Sequence, residues 1–174
     1  MKTRAEVLAG RIEQGARALA EFADRLTDAD WETVVRPDGR TVGVIIHHVA
    51  SMYPIEVQLA QQVASSAPIE NVTWSMVADM NAVHARENAD CCKHETIHLL
   101  QRNSRRAAEA VRVMTDAQLD SAAPVSLNAG APLTAQFVIE DHAVRHSWHH
   151  LAKIRAALES ARPVERKLAL AGVL

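Results

Sequence analysis

Cysteine is scarce in this chain, whose 174 residues contain only the adjacent pair Cys91 and Cys92. Two neighbouring cysteines cannot join distant segments, so the fold does not depend on disulfides, and the pair fits a reducing compartment. The pair also lacks the C-x-x-C arrangement of redox motifs. We interpret it as an inert pair at a helix end rather than as a redox site.

The chain also lacks a large excess of charge of one sign, and it lacks long apolar runs. The formal net charge is −2, and both signs are interspersed, which gives no electrostatic basis for binding nucleic acid or an anionic membrane. No stretch approaches the roughly 20 apolar residues of a membrane span, and charges interrupt what would be the apolar region of a signal peptide. We therefore expect a cytoplasmic protein that binds neither nucleic acid nor membrane.

Helical periodicity is what the sequence has throughout, and strand-like alternation is almost absent. No linker rich in proline, glycine or serine divides the chain, so residues 1–174 are expected to form a single domain. Long helices with wide apolar stripes favour an all-α four-helix bundle. The predicted helices cover about residues 3–26, 42–64, 73–90, 94–114 and 135–160, with a short helix over 115–119 and an end of the last helix before Pro163.

Turn-forming residues and caps separate these helices. The region 121–133 is rich in residues that break helices, and we predict that it is irregular and a candidate lid. Thr41, Thr115 and Thr134 each precede a predicted helix and are expected to cap it, because a threonine hydroxyl accepts a hydrogen bond from a free backbone N–H of the first turn.

The predicted helix over 73–90 carries apolar side chains at helical spacing. Met76, Val77, Met80 and Val83 are therefore expected to be buried on one face. The stripe formed by Met76, Met80 and Val83 is also the candidate surface of a homodimer.

Histidine is abundant, with nine residues, and the helical wheel of the last predicted helix sorts three of them. With His146 at zero, His150 lies at roughly +40°, on the apolar side with Phe137 and Ile154, and His142 lies at about −40°, facing water. His146 and His150 are one turn apart, so their Cβ atoms are about 5–6 Å apart and both imidazoles can reach one ion. His142 and His150, two turns apart, fit a shared ion poorly.

The doublet His47-His48 supplies the third histidine. His48 shares its helical face with Ile45, whereas His47 shares its face with Ser51. This assignment uses only residues before Pro54, because a proline inside a helix shifts the phase beyond it. Two helices then supply three imidazoles to one cleft, which is typical of a metal site. The alternative interpretation is that the inward histidines are hydrogen-bonded residues of the core.

A second His-x-x-x-His pair, His94 and His98, has a different setting. Its face also carries Gln101 and Arg105, so we predict that it is solvated. Glu95 and His98 match the Glu-x-x-His spacing of di-iron bundles, but such a site needs a second copy and further inward carboxylates. The sequence shows neither, so no di-iron site is predicted.

Three motifs resemble those of a known superfamily. They are T-V-G-x-x-x-x-H-h-A at 41–50 (h, apolar), H-x-x-x-H-L-A-x-I at 146–154, and L-T-D-A-D-W at 26–31. Together they resemble the DinB/YfiT-like superfamily of metal-binding four-helix bundles, which is related to the mycothiol-dependent maleylpyruvate isomerases and to bacterial thiol S-transferases. The resemblance spans about residues 5–160 and implies the same fold.

The resemblance also implies a site and a chemistry. His48, His146 and His150 would bind one divalent metal ion, zinc or nickel, between the second and the last helix. A low-molecular-weight thiol would then attack a small electrophilic substrate, giving S-transfer or isomerisation. The alternatives are a non-catalytic metal- or ligand-binding bundle and a metal-dependent hydrolase, in which water replaces the thiol. Candidates for residues next to the ligands are Glu140, Asp141 and His142.

Overall fold

The structure, a computed structural model, describes the backbone of residues 2–170 and the side chains of residues 2–161. Its α-helices are α1 (Arg4–Asp24), α2 (Asp28–Glu32), α3 (Val42–Ala64), α4 (Trp74–Glu87), α5 (Lys93–Arg112), α6 (Asp116–Asp120), α7 (Ala135–Val138) and α8 (Arg145–Leu170). Two short strands, β1 (Ala122–Val125) and β2 (Ala131–Thr134), flank a single 3₁₀ turn.

Four long helical segments form the bundle: α1, α3, α5 and the last helix, which runs from α7 into α8. Helices α1 and α3 both pack along α5, and the last helix packs against α1 and α3. Across the described part of the chain, every helix is too short or too polar to bridge the hydrocarbon core of a bilayer. The core between the four segments contains the fully buried aliphatic side chains Ile12, Leu19, Ile45, Ile46, Leu100, Leu151 and Ile154. The prediction of an all-α four-helix bundle is confirmed.

Threonine caps the start of most helices. Each of these hydroxyls accepts a hydrogen bond from a backbone N–H three residues further on, which satisfies one free donor of the first turn. The caps expected from the sequence are confirmed, and among the described residues the threonine caps are Thr3, Thr27, Thr41, Thr73, Thr115 and Thr134. The cap at Thr41 fixes where α3 begins.

The region 121–133 is ordered, so the prediction of an irregular connection is wrong. Strands β1 and β2 pair antiparallel, with Ala122 opposite Thr134 and Val125 opposite Ala131. Gly130 takes a φ of +73° in the connection, a left-handed conformation that suits glycine. Strands of four residues are too short to show an alternating pattern in the sequence. The role of this hairpin as a lid stays a prediction.

The last helix contains a π-helical segment, Ile139–Val144, between α7 and α8. A π turn holds more residues than an α turn, so the residues before it are rotated relative to those after it. Phe137, which the regular wheel placed on the apolar side with His150, is consequently 43% exposed. Segments of this kind are frequent at functional sites, and this one ends immediately before the turn that carries His146.

Two prolines lie inside helices. Pro54 lies inside α3, and the predicted end of the last helix before Pro163 is wrong, because α8 continues to Leu170. A proline removes one backbone donor and disturbs one turn, but the hydrogen bonds on either side can continue the helix.

Helix α4 lies outside the bundle and packs mainly against α3. None of its residues is buried, and Met76, Met80 and Val83 are 54%, 39% and 40% exposed. The predicted burial of this face is therefore wrong, and Val77 is only half-buried. Helical spacing of apolar residues predicts an amphipathic helix, but it does not say which element covers the apolar face.

Candidate metal centre

Helix α3 presents His48 to the interior of the bundle. Its side chain is buried, and Ile45, one turn earlier on the same face, is fully buried. His47, the other member of the doublet, is half-buried. The prediction that His48 is the inward member is confirmed.

His146 and His150 lie one turn apart on α8 and face His48. The ring centroid of His48 is 5.0 Å from that of His146 and 5.6 Å from that of His150, and the rings of His146 and His150 are 4.8 Å apart. One ring nitrogen from each residue lies within 4.8 Å of those of the other two. Among the described residues, this is the group of at least three histidine, cysteine or acidic side chains with the geometry for a shared ion.

Glu56, which sequence reasoning missed, orients one of the three imidazoles. It is buried in α3, and its Oε1 lies 2.5 Å from Nδ1 of His146. A carboxylate oxygen accepts, so Nδ1 of His146 donates in this hydrogen bond. Nε2 is then the ring nitrogen that remains available to a metal ion. Histidine ligands of metals commonly donate their second ring N–H to a carboxylate in this way. Glu56 follows Pro54, beyond the point to which the sequence assigned the faces of α3.

Burial keeps the two inward histidines neutral. Desolvation is the main cause that lowers the pKa of His48 to about 2, with smaller contributions from the charges of His146 and Arg40. Desolvation likewise lowers the pKa of His150 to about 3. Neutral imidazole is the form that binds metals, because the ring nitrogen lone pair must be free.

The donor set fits a divalent transition metal. Nδ1 of His150 is buried and has no hydrogen-bond partner among the described residues, which is costly unless a ligand or water satisfies it. Three imidazoles, one of them oriented by a carboxylate, suit zinc, nickel, copper or iron. The residues present can therefore hold such an ion.

A second pair of histidines flanks the cluster. Nδ1 of His47 lies 2.9 Å from Nε2 of His84, which α4 contributes. The His84 ring is also 5.5 Å from that of His48. Desolvation lowers the pKa of both His47 and His84. Sequence reasoning did not find His84, because the face of α4 was assigned to the core.

The other candidate residues are not members of the three-histidine group. Nε2 of His94 and Nε2 of His98 are 3.1 Å apart on the exposed face of α5, as predicted. Glu140 pairs with Arg11, and Asp141 pairs with Arg145. His142, next to these residues, is half-buried and is not part of the three-histidine group.

The two cysteines are free thiols. Cys91 is half-buried, and desolvation raises the pKa of its thiol, which makes it a poorer nucleophile at neutral pH. Cys92 is exposed at the N-terminal end of α5. The setting of Cys91 fits the interpretation of an inert residue, and the inertness of Cys92 stays a prediction.

The fold and the cluster together define a class: helical bundles with a histidine group held between two bundle helices. The chain belongs to the DinB superfamily, whose family model matches residues 11–154. This confirms the resemblance that the motifs indicated. A comparison with curated proteins gave no match.

One solved structure has a similar fold. It is that of YfiT from Bacillus subtilis, described as a probable metal-dependent hydrolase with an unusual four-helix bundle topology. The match has a TM-score of 0.73, with 18% sequence identity, and covers 92% of this chain and 89% of YfiT. At this identity the likeness establishes the fold.

Proposed function

We propose that the protein is a divalent-metal-dependent enzyme in which His48, His146 and His150 hold the ion. The observation that carries the proposal is that one ring nitrogen from each of these residues lies within 4.8 Å of the other two. Two separate helices contribute to this arrangement, and no hydrogen bond among the described residues joins the three rings to each other. Bundle cores are a common place for metal sites.

Zinc and nickel are the proposed metals, since imidazole nitrogen is a good ligand for both. Three protein ligands leave a position for water or substrate, which is the ligand count of catalytic rather than structural zinc sites. When bound, the ion would act as a Lewis acid that makes water or a thiol a stronger nucleophile near neutral pH.

The chain's own residues have distinct roles in this proposal. Glu56 keeps the proton of His146 on Nδ1 and so directs Nε2 toward the ion. The buried setting of His48 and His150 keeps both rings unprotonated at neutral pH. A water-poor environment also strengthens every electrostatic interaction with a bound small molecule.

Hydrolysis is the reaction we propose first, with water as the nucleophile. The description of YfiT as a probable metal-dependent hydrolase supports it. Thiol-dependent transfer or isomerisation is the second candidate, and the motifs at 41–50 and 146–154 support it through their resemblance to thiol-using relatives. The cytoplasmic location and the homodimer stay predictions.

Two assays separate these reactions. Metal-loaded protein is incubated with p-nitrophenyl acetate without thiol, and with 1-chloro-2,4-dinitrobenzene in the presence and absence of glutathione or cysteine. Ester hydrolysis that is lost in His146→Ala and kept in His142→Ala supports the hydrolase. Turnover that requires a thiol supports the transferase or isomerase. Metal-loaded protein without either activity favours a binding protein.

A further inference from the structure

The loop that leads into α3 is held in a fixed turn. The backbone N–H of Val35 donates to the carbonyl of Arg40 at 2.9 Å, and the N–H of Gly39 donates to the carbonyl of Val35 at 2.8 Å. Gly39 has a φ of +85°, which a side chain would disfavour. The turn fixes the backbone at Arg40. This residue directly precedes Thr41, which caps the helix that carries His48.

Asp38 holds the guanidinium of Arg40 along one edge. Nε donates to Oδ1 at 2.6 Å and Nη2 donates to Oδ2 at 2.9 Å, and the two side chains are only 16% and 13% exposed. Hydrogen bonding from Arg40 is the main cause that lowers the pKa of Asp38, which keeps the carboxylate ionised. A bidentate pair of this kind fixes the plane of the guanidinium.

The opposite end of the guanidinium has no such partner. Nη1 of Arg40 is buried and makes no hydrogen bond with any described residue. A buried N–H without an acceptor is costly, especially in a charged group, so the arrangement calls for an acceptor from outside the chain. Nδ1 of His84 and Nδ1 of His150 are buried without a partner as well.

Arg40 is close enough to the histidine cluster for its charge to act there. After desolvation, which is the largest cause, the positive charge of Arg40 contributes to the lowered pKa of His48, His84 and His150. His48 and His150 belong to the cluster and His84 flanks it, so the charge of Arg40 acts on the region that contains the cluster. The region combines the unpaired Nη1 donor of Arg40 with a positive charge and is therefore suited to an anion.

We propose that Arg40 binds an oxyanion of the substrate, such as a carboxylate, through its free Nη1 end, beside the three-histidine cluster. This rests on the proposed function and narrows its substrate to small anionic molecules. Arginine suits the role because its rigid, planar donors match an oxyanion, and because it stays charged at every working pH. Asp38 is then a positioning residue that sets the direction of Nη1.

The test is a calorimetric titration with sodium acetate, run on metal-free and on cobalt-loaded protein. The variants are Arg40→Gln, which removes the charge, Arg40→Lys, which keeps it without the planar fork, and Arg36→Gln. Arg36 is exposed in the same loop, so it controls for a general loss of positive charge. Cobalt content and the urea unfolding midpoint are measured for every variant.

We expect Arg40→Gln to weaken acetate binding at least tenfold, Arg40→Lys to restore part of the affinity, and Arg36→Gln to bind as the parent does. Equal acetate affinity in the parent and in folded Arg40→Gln, in both forms of the protein, overturns the proposal. If the protein takes up no cobalt but Arg40→Gln still weakens acetate binding, the anion site stands and the proposed metal function fails. Full cobalt content together with equal acetate affinity in the parent and in Arg40→Gln would keep the proposed metal function and overturn the anion site.

Discussion

Nδ1 of His146 on α8 lies 2.5 Å from Oε1 of Glu56 on α3, so a buried carboxylate on one bundle helix orients an imidazole on the other. The pair joins the two helices that supply the cluster. It also determines which nitrogen of His146 is free. Glu56 therefore identifies the nitrogen of His146 that can face an ion, which the positions of the three histidines alone do not.

Replacing Glu56 by glutamine tests this orientation. Glutamine keeps the size of the side chain but removes its charge, so Nδ1 of His146 loses a charge-assisted acceptor. We expect Glu56→Gln to lower metal affinity about 10- to 100-fold, the usual effect of losing such a partner. Competition with a chromogenic chelator measures it. Glu109→Gln, at an exposed position of α5, is the matched control, and equal affinities for the two variants would contradict the role of Glu56.

The stability of the metal-free protein should depend on pH between about 6.5 and 3. His48 and His150 have folded-state pKa values of about 2 and about 3, below the value of 6.5 expected for the unfolded chain. Between these limits the unfolded state binds more protons, so stability falls as the pH falls, by at most about 1.4 kcal/mol per pH unit for each histidine. Above the upper limit the two residues contribute no slope.

Urea unfolding of metal-free protein at pH 7, 6 and 5 measures this dependence. His48→Leu, provided that it folds, removes one of the two titrating groups and should show a shallower loss of stability on acidification. His94→Leu, on the exposed face of α5, serves as the control and should keep the parent's slope. Identical slopes for all three proteins would refute the assignment of a buried neutral His48.

Gly43 near the start of α3 lies against the ring of Trp31. A Cβ at Gly43 would collide with the indole ring, and Trp31 is fixed because its Nε1 donates to the carbonyl of Cys91 at 3.1 Å. We expect Gly43→Ala to destabilise the protein by about 1–3 kcal/mol, as overpacking does. Gly10→Ala, where a Cβ meets nothing within 4 Å, should be neutral or stabilising by up to about 1 kcal/mol through helix propensity. Urea unfolding of both variants measures these changes in the free energy of unfolding.

Tyr53 and Ser147 form a fully buried hydrogen bond between α3 and α8, with Oη and Oγ 2.7 Å apart. Burial is the main cause that raises the pKa of Tyr53, so its hydroxyl stays protonated. We expect Tyr53→Phe and Ser147→Ala each to reduce stability by about 1–3 kcal/mol, because each leaves one buried polar group unpaired. The double variant should cost less than the sum, and a coupling energy near zero would mean that the bond is not formed.

Much of the site could be predicted from the sequence, because the angular positions of His146 and His150 need only one regular helical turn. The position of His48 likewise needs only the short segment before Pro54. Glu56 was missed because it follows that proline. His84 was missed because the apolar spacing on its helix predicted a core face, and periodicity does not identify the partner of a face.

The remaining differences in the fold have similar causes. The π-helical segment Ile139–Val144 rotates Phe137 out of the face that a regular wheel assigns to it. The hairpin of β1 and β2 is too short for an alternating pattern. Both are local backbone features that hydrophobic periodicity does not encode.

Metal analysis of the purified protein is the direct test of the three-histidine site. Elemental analysis is made of the parent chain and of His48→Ala, His146→Ala, His150→Ala and His142→Ala, with circular dichroism to establish that each variant folds. We expect about one zinc or nickel ion per chain in the parent and in His142→Ala, and loss of the ion in the other three variants. Folded parent protein that takes up neither metal, or a triad variant that keeps its full metal content, would contradict the claim that these three histidines hold the ion.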